Sequence, residues 1–200
     1  MLPDLAELGD FASISRSGPV DVAAHRKLAE GSQVKGLFFR ALLAQLPSDR
    51  QPSPPRRYLP FRAYPMPDYI DLLVHAAESL HPGRSLREGL LALGELGYVA
   101  FADSLVGRVM MGVLGTDLEG VLERAPKAYG VSVEPGVVTS RRLAPQHWRI
   151  GFQQIPNFID SYQVGVVEGA IRHHGGEPEV RAHLLAPDVG VLDVKWTERR

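Results

Sequence analysis

An enzyme built from these 200 residues would have to draw its base, its acid and its anion-holding group from scattered positions, and His147, His183, Asp160 and Arg142 are the first candidates. Triads assembled in space leave no local spacing, so sequence neither supports nor excludes that arrangement. For a metal, His173 and His174 are adjacent, project about 100° apart on a helix and do not readily share one ion. His147 and His183, read on strands, could complete a composite site. Histidines at the end of a helix, however, interact well with its negative pole, so no metal is expected. The carboxylate pairs Asp68/Asp71 and Glu119/Glu123 have the spacing of solvated helix faces and caps. Arg141 and Arg142 could hold an anion, yet neighbours on a strand point to opposite faces. Cysteine is absent, which removes disulfides, thiolate nucleophiles, iron–sulfur clusters and cysteine-ligated zinc. There is no Walker A sequence, no H-E-x-x-H and no G-x-S-x-G. The expectation is no catalytic residue and no cofactor.

Bulk properties narrow the partners. Lys and Arg number 22 against 23 Asp and Glu, a formal charge of −1, so no global field draws the chain to nucleic acid or anionic membrane. A hydrophobic fraction of 44% with 22% charged residues is that of an ordinary globular domain. No apolar run approaches the ~20 residues of a membrane span. Met1-Leu2-Pro3-Asp4 opens acidic, without the charged and apolar regions of a signal peptide. A cytoplasmic location is expected.

The elements that would position side chains follow from periodicity. Residues 1–31 are weakly patterned, with a short helix from Asp21 to Ala29. A single α+β domain is expected over 32–198. Its first helix is read from Val34 to Gln45, with Ser32 as cap and Pro47 as stop. Residues 47–67 carry seven prolines and four arginines, which reads as an extended loop. A helix over Asp68–Leu80 shows Ile70, Leu73, Val74 and Ala77 on one face. The capping box Ser85-Leu86-Arg87-Glu88 starts another helix, whose stripe Leu86, Leu90, Leu93, Gly97 is widened by Leu91, Leu96 and Val99. That helix is expected to break near Asp103 and resume to Leu114. Thr116-Asp117-Leu118-Glu119 opens a shorter one. Two hairpins follow, Val137–Leu143 with His147–Gln153 and Val180–Leu184 with Leu192–Trp196, the latter with one face buried and one wet. Between them Pro156–His174 reads as helix, stopped by Gly175-Gly176. Gly165 and Gly169, one turn apart, predict close approach of another element. The order predicts helices packed on a small antiparallel sheet of about four strands, the helices filling the N-terminal two thirds.

Several short segments, in order, carry a resemblance over about four fifths of the chain: Val34-Lys35-Gly36-Leu37-Phe38-Phe39, Tyr64-Pro65 ahead of Tyr69–Leu73, Leu90–Gly94, Ser104–Arg108, and Pro156 leading to Tyr162-Gln163-Val164-Gly165. On these the chain resembles an uncharacterised family of paralogous myxobacterial proteins known as a domain of unknown function. More distantly, the order of helices, hairpin, helix and hairpin is similar to the ligand-binding fold of haem-nitric-oxide sensors, 4-vinyl-reductase-like domains and TRAPP subunits. That resemblance implies a pocket between helices and sheet, and dimerisation. It does not carry haem with it. The family's haem-ligating histidine has Ala128-Tyr129 as its nearest equivalent here, and no tyrosine begins a Y-x-S-x-R motif.

The resulting expectation is a non-catalytic sensory or interaction module that holds a small apolar ligand, with Tyr98, Phe101, Tyr129 and Phe152 as candidate pocket walls. A homodimer and a protein partner are candidate assemblies. The alternatives are the scattered-site enzyme and a scaffold that grips a partner through Pro52–Arg57, since polyproline segments dock in aromatic grooves.

Overall fold

A computed structural model of the protein describes residues 11–52, 56–103 and 117–198, the side chains of Phe101 and Asp103 excepted. Chain order is β1 (Ala12–Ser13), α1 (Val22–Leu28), β2 (Gln33–Lys35), α2 (Gly36–Leu43), a 3-10 turn (Ser48–Arg50), β3 (Ala63–Pro65), α3 (Met66–Leu80) and α4 (Leu86–Asp103). There follow α5 (Leu118–Gly130), β4 (Val133–Glu134), β5 (Val137–Ala144), β6 (His147–Gln153), a π-helical turn (Ile159–Gln163), α6 (Val164–His173), β7 (Gly176–Ala186) and β8 (Val189–Glu198).

The class is α+β. The main sheet is antiparallel in the order β1-β7-β8-β6-β5, so the two expected hairpins are joined through β8 and β6, and β1 adds a fifth strand on the β7 edge. A second sheet, β3-β2-β4, lies outside the expected pattern. It corrects the reading of Val34 as helical. Val34 pairs with Tyr64 and with Val133, Ser32 O accepts from Met66 N–H at 2.9 Å, and α2 starts only at Gly36. Val34 and its apolar followers fit either period. The pairing that decides comes from residues 30 and 99 positions away, which local spacing does not register. The proline-rich segment ends in β3, an edge strand, where proline costs no ladder bond. Pro67 then sits in the first turn of α3, where its missing N–H is harmless.

The helices build inward from the sheet. α5 packs on β5, α6 on β7, α4 on α6, and α3 on α4. Asp117 caps α5 by accepting from Gly120 N–H at 2.7 Å, while Thr116 lies outside the described residues. The Ser85–Glu88 box forms in both directions, with Glu88 Oε2 accepting from Ser85 N–H at 2.9 Å and Ser85 Oγ from Glu88 N–H at 3.3 Å. The α4–α6 contact is made backbone to backbone through Gly94, Gly165 and Gly169. A Cβ on Gly169 would stand 2.6 Å from Glu95 O, and one on Gly94 would stand 2.8 Å from Val166 N. Only glycine permits that approach, as the 165/169 spacing predicts. Leu91 is buried, but Leu96 is 50% exposed and Val99 36%, so the α4 stripe is narrower than expected. Two faces of α4 are covered by α3 and α6, and those residues fall outside both. The continuation of α4 towards Leu114 lies outside the described residues.

β8 also departs from strict alternation. As the central strand it is buried from Gly190 to Val194, including Asp193 on the face expected to be wet. The described part of the N-terminal segment is fastened to this core. β1 pairs Ala12 with Ala182, Arg16 binds the buried Glu168, and Arg87 reaches both Pro19 O and Asp160. In α1, buried His25 donates Nδ1–H to Pro156 O at 2.7 Å.

Candidate functional site: a tyrosine-lined apolar cavity

Where the helices meet the sheet, their side chains do not fill the space. A cavity of about 160 Å³ remains, walled by β2, α2, α3, α4, α5, β6 and α6. Its apolar lining includes Phe38, Leu42, Val121, Leu122, Ile150 and Phe152. An apolar cavity of about 150 Å³ stays dry and takes up benzene, so the volume here fits one ring or a short hydrocarbon.

Four tyrosines supply most of the polarity. Tyr69 and Tyr162 share a hydrogen bond between their hydroxyls at 3.1 Å, Tyr129 donates to Gln163 Oε1, and Tyr98 is bonded to His174 Nε2 at 3.2 Å. Burial pushes all four phenols up, Tyr98 to about 12 and Tyr69 well above the ordinary value. They are neutral donors at physiological pH, because a phenolate would lose its hydration with no cation to replace it. Two amides complete the polar set. Asn157 is 4% exposed and its Oδ1 has no hydrogen-bond partner, and the buried Gln45 Oε1 is in the same condition.

Of the aromatic residues named from sequence, the structure places Tyr98, Tyr129 and Phe152 on the cavity wall, while the Phe101 side chain lies outside those described. Sequence reasoning missed Tyr69, Tyr162 and Asn157. Tyr69 sits within the apolar stripe of α3, where a tyrosine reads as core. Asn157 sits in an irregular segment between a proline and Phe158, which adopts a left-handed conformation with φ 59°. A polar residue embedded in Ile155-Pro156-Asn157-Phe158-Ile159 was the available signal.

The scattered-site enzyme candidates are not brought together. Arg142 pairs with Glu119 of α5 at 3.1 Å, Asp160 with Arg87, and His183 lies beside Phe11. His147 meets a carboxylate from outside the candidate set, donating Nε2–H to Asp193 Oδ1 at 2.9 Å, which Arg149 Nε also approaches at 3.0 Å. Burial by itself would raise the Asp193 carboxyl, but the bonds from His147 and Arg149 outweigh it and hold it below its ordinary value. This cluster joins β6 to β8 and is closed over by Phe11, whose ring lies 4.7 Å under the Arg149 guanidinium. It reads as a clamp on the sheet. No group of three metal-ligating side chains occurs among the described residues.

A family model described as "Protein of unknown function (DUF2378)" matches residues 27–197. The chain belongs to the DUF2378 family. The match spans every cavity-lining residue, so the cavity is a feature of the DUF2378 region itself. Among solved structures, this DUF2378 chain is similar to an H-NOX protein of S. oneidensis in the Fe(II) state, with a TM-score of 0.61, 14% identity, and coverage of 83% of this chain and 97% of that one. An Fe(II) unliganded H-NOX protein of K. algicida matches with a TM-score of 0.59 and 13% identity over 82% and 97%. A structure from work on heme distortion in the H-NOX family matches with a TM-score of 0.59 and 13% identity over 82% and 93%. At these identities the likeness is one of fold. The DUF2378 chain has an H-NOX-like fold. No curated protein matches it.

Proposed function

We propose that this DUF2378 protein is a non-catalytic sensory module that holds a small apolar ligand in the cavity between its helices and its sheet. The observation that carries this reading is the cavity: an apolar interior space left unfilled in an otherwise close-packed core, which costs stability unless something occupies it. The fold supports it, because the H-NOX structures it resembles include one in an Fe(II)NO ligation state and one from work on heme distortion.

Haem itself does not fit these residues. Drug-sized pockets run from about 300 to 1,000 Å³, well above the 160 Å³ here, and a porphyrin is no smaller than such ligands. Among the described residues no histidine, arginine or lysine lines the cavity, so these supply neither the usual axial ligand nor partners for propionates. A tyrosine ligand would have to ionise, which burial opposes at Tyr69, Tyr129 and Tyr162.

Dimerisation and a cytoplasmic location belong to the same proposal. No described helix is long and apolar enough to cross a membrane. The test is thermal denaturation and calorimetry with benzene and toluene, on the wild type and on Ala128→Leu, which thickens the cavity wall. The expected result is a saturable rise in Tm for the wild type and at least tenfold weaker binding in the variant. A panel of such ligands that leaves Tm unchanged would remove the reading.

A further inference from the structure

Charge is spread unevenly along this chain. The whole carries −1, yet residues 40–62 hold five arginines, Arg40, Arg50, Arg56, Arg57 and Arg62, against a single acid, Asp49. Three of the five come together in space. The last turn of α2 and the segment ahead of β3 border an open cleft of about 490 Å³, lined by Arg40, Arg56 and Arg57 together with Leu43, Tyr58 and Leu59. That volume lies within the range of small-molecule sites. The cleft shares no lining residue with the tyrosine-lined cavity.

The three arginines differ in how their charge is met. Arg56 is answered: its guanidinium bonds Asp68 Oδ2 at 2.7 Å and lies over the Tyr58 ring, 5.4 Å from the centroid. Arg40 and Arg57 have no carboxylate partner among the described residues, and no described acid lines the cleft. Most surface arginines are simply solvated. These two line a concavity whose other walls are largely apolar, with Leu59 50% exposed beside them. A cleft lined by one sign of charge, with apolar walls, focuses the field on what enters it. The guanidinium fork matches the paired oxygens of a carboxylate or phosphate.

We infer that this cleft binds small amphipathic oxyanions, the apolar body lying against Leu43, Tyr58 and Leu59 and the carboxylate or phosphate held by Arg40 and Arg57. The inference goes beyond the cavity reading and stands without it.

Calorimetric titration with 2-naphthoate, 1-naphthyl phosphate, the neutral 2-naphthamide and inorganic phosphate separates the two contributions. At least one naphthyl anion is expected to bind about tenfold more tightly than naphthamide, the scale of one charge-assisted hydrogen bond at a partly exposed site. It should also outbind inorganic phosphate, which lacks the ring. The preferred anion names the headgroup. Raising NaCl from about 50 to about 500 mM should erode the anion's advantage and leave naphthamide unchanged, because exposed charges are screened. Arg40→Gln and Arg57→Gln, both at exposed positions, should each remove most of that advantage. Arg84→Gln, which takes the same charge from an exposed position outside the cleft, should not. Naphthamide binding as tightly as both anions, inorganic phosphate binding as tightly as either, or a preference that survives both arginine substitutions overturns the inference. So does displacement of the naphthyl anions by benzene, which would place them in the tyrosine-lined cavity, and so does a failure of all four probes to bind.

Discussion

Gly165 lies directly against the Leu91 carbonyl: a methyl group built on it would stand 2.9 Å from the carbonyl carbon, with the oxygen nearer still. Gly165→Ala therefore has to push α6 away from α4. Overpacking of this kind costs about 1–3 kcal/mol, set against a helix-propensity gain of up to ~1 kcal/mol. Net destabilisation is expected in urea unfolding. Gly130→Ala, where an added Cβ meets nothing within 4 Å, should be neutral or slightly stabilising.

Asp193→Asn should be among the more costly single changes. It leaves the Arg149 guanidinium, 12% exposed, beside a neutral amide. Breaking one side of a buried pair costs about 3–5 kcal/mol, and the lower end is expected, since Arg149 keeps its contact with Phe11. The same pair shapes acid unfolding. Because the folded carboxyl titrates below its ordinary value, its contribution is complete above about pH 4 and is lost as the pH falls through the lower folded value. The variant should show a shallower loss of Tm below pH 4.

Near neutrality the histidines govern. Burial is the leading cause that lowers His25, His81 and His174, so each is more easily protonated in the unfolded chain. Stability is then full above about pH 6.5, the unfolded value, and declines as the pH drops through it towards the folded values. Tm measured from pH 8 to pH 5 should fall. His25→Asn, which keeps an N–H donor for Pro156 O and cannot titrate, should flatten that decline.

Hemin gives the sharpest contrast with the proteins of similar fold. Titration of the purified protein is expected to leave the broad absorption of free hemin, without a sharp Soret band or a saturating stoichiometry. A one-to-one complex with a sharp band would show that the cavity opens far beyond 160 Å³.

Local chemistry was legible from sequence wherever it was self-contained. The Ser85–Glu88 box, the Gly175 helix stop with φ 82°, and the β5–β6 hairpin each depend on residues within a few positions of one another. The small sheet was not legible, because Val34 becomes a strand residue only when Tyr64 and Val133 arrive beside it. The Asp193 clamp hid for the same reason. Arg149 and Asp193 face each other only through the β6–β8 register, and alternation alone assigned Asp193 to water. At the cavity, aromatic residues drew notice by type, and three of the four named stand on its wall. Asn157 did not, since what sets it apart is a missing partner, and spacing does not encode an absence.

The bond from His25 to Pro156 has a consequence for how an interior event could be felt outside. Pro156 is covalently joined to Asn157, and His25 belongs to α1, whose Arg26 reaches Asp71 on the solvent side at 3.2 Å. The cavity wall at Asn157 is therefore joined to a surface helix through one peptide link and one hydrogen bond.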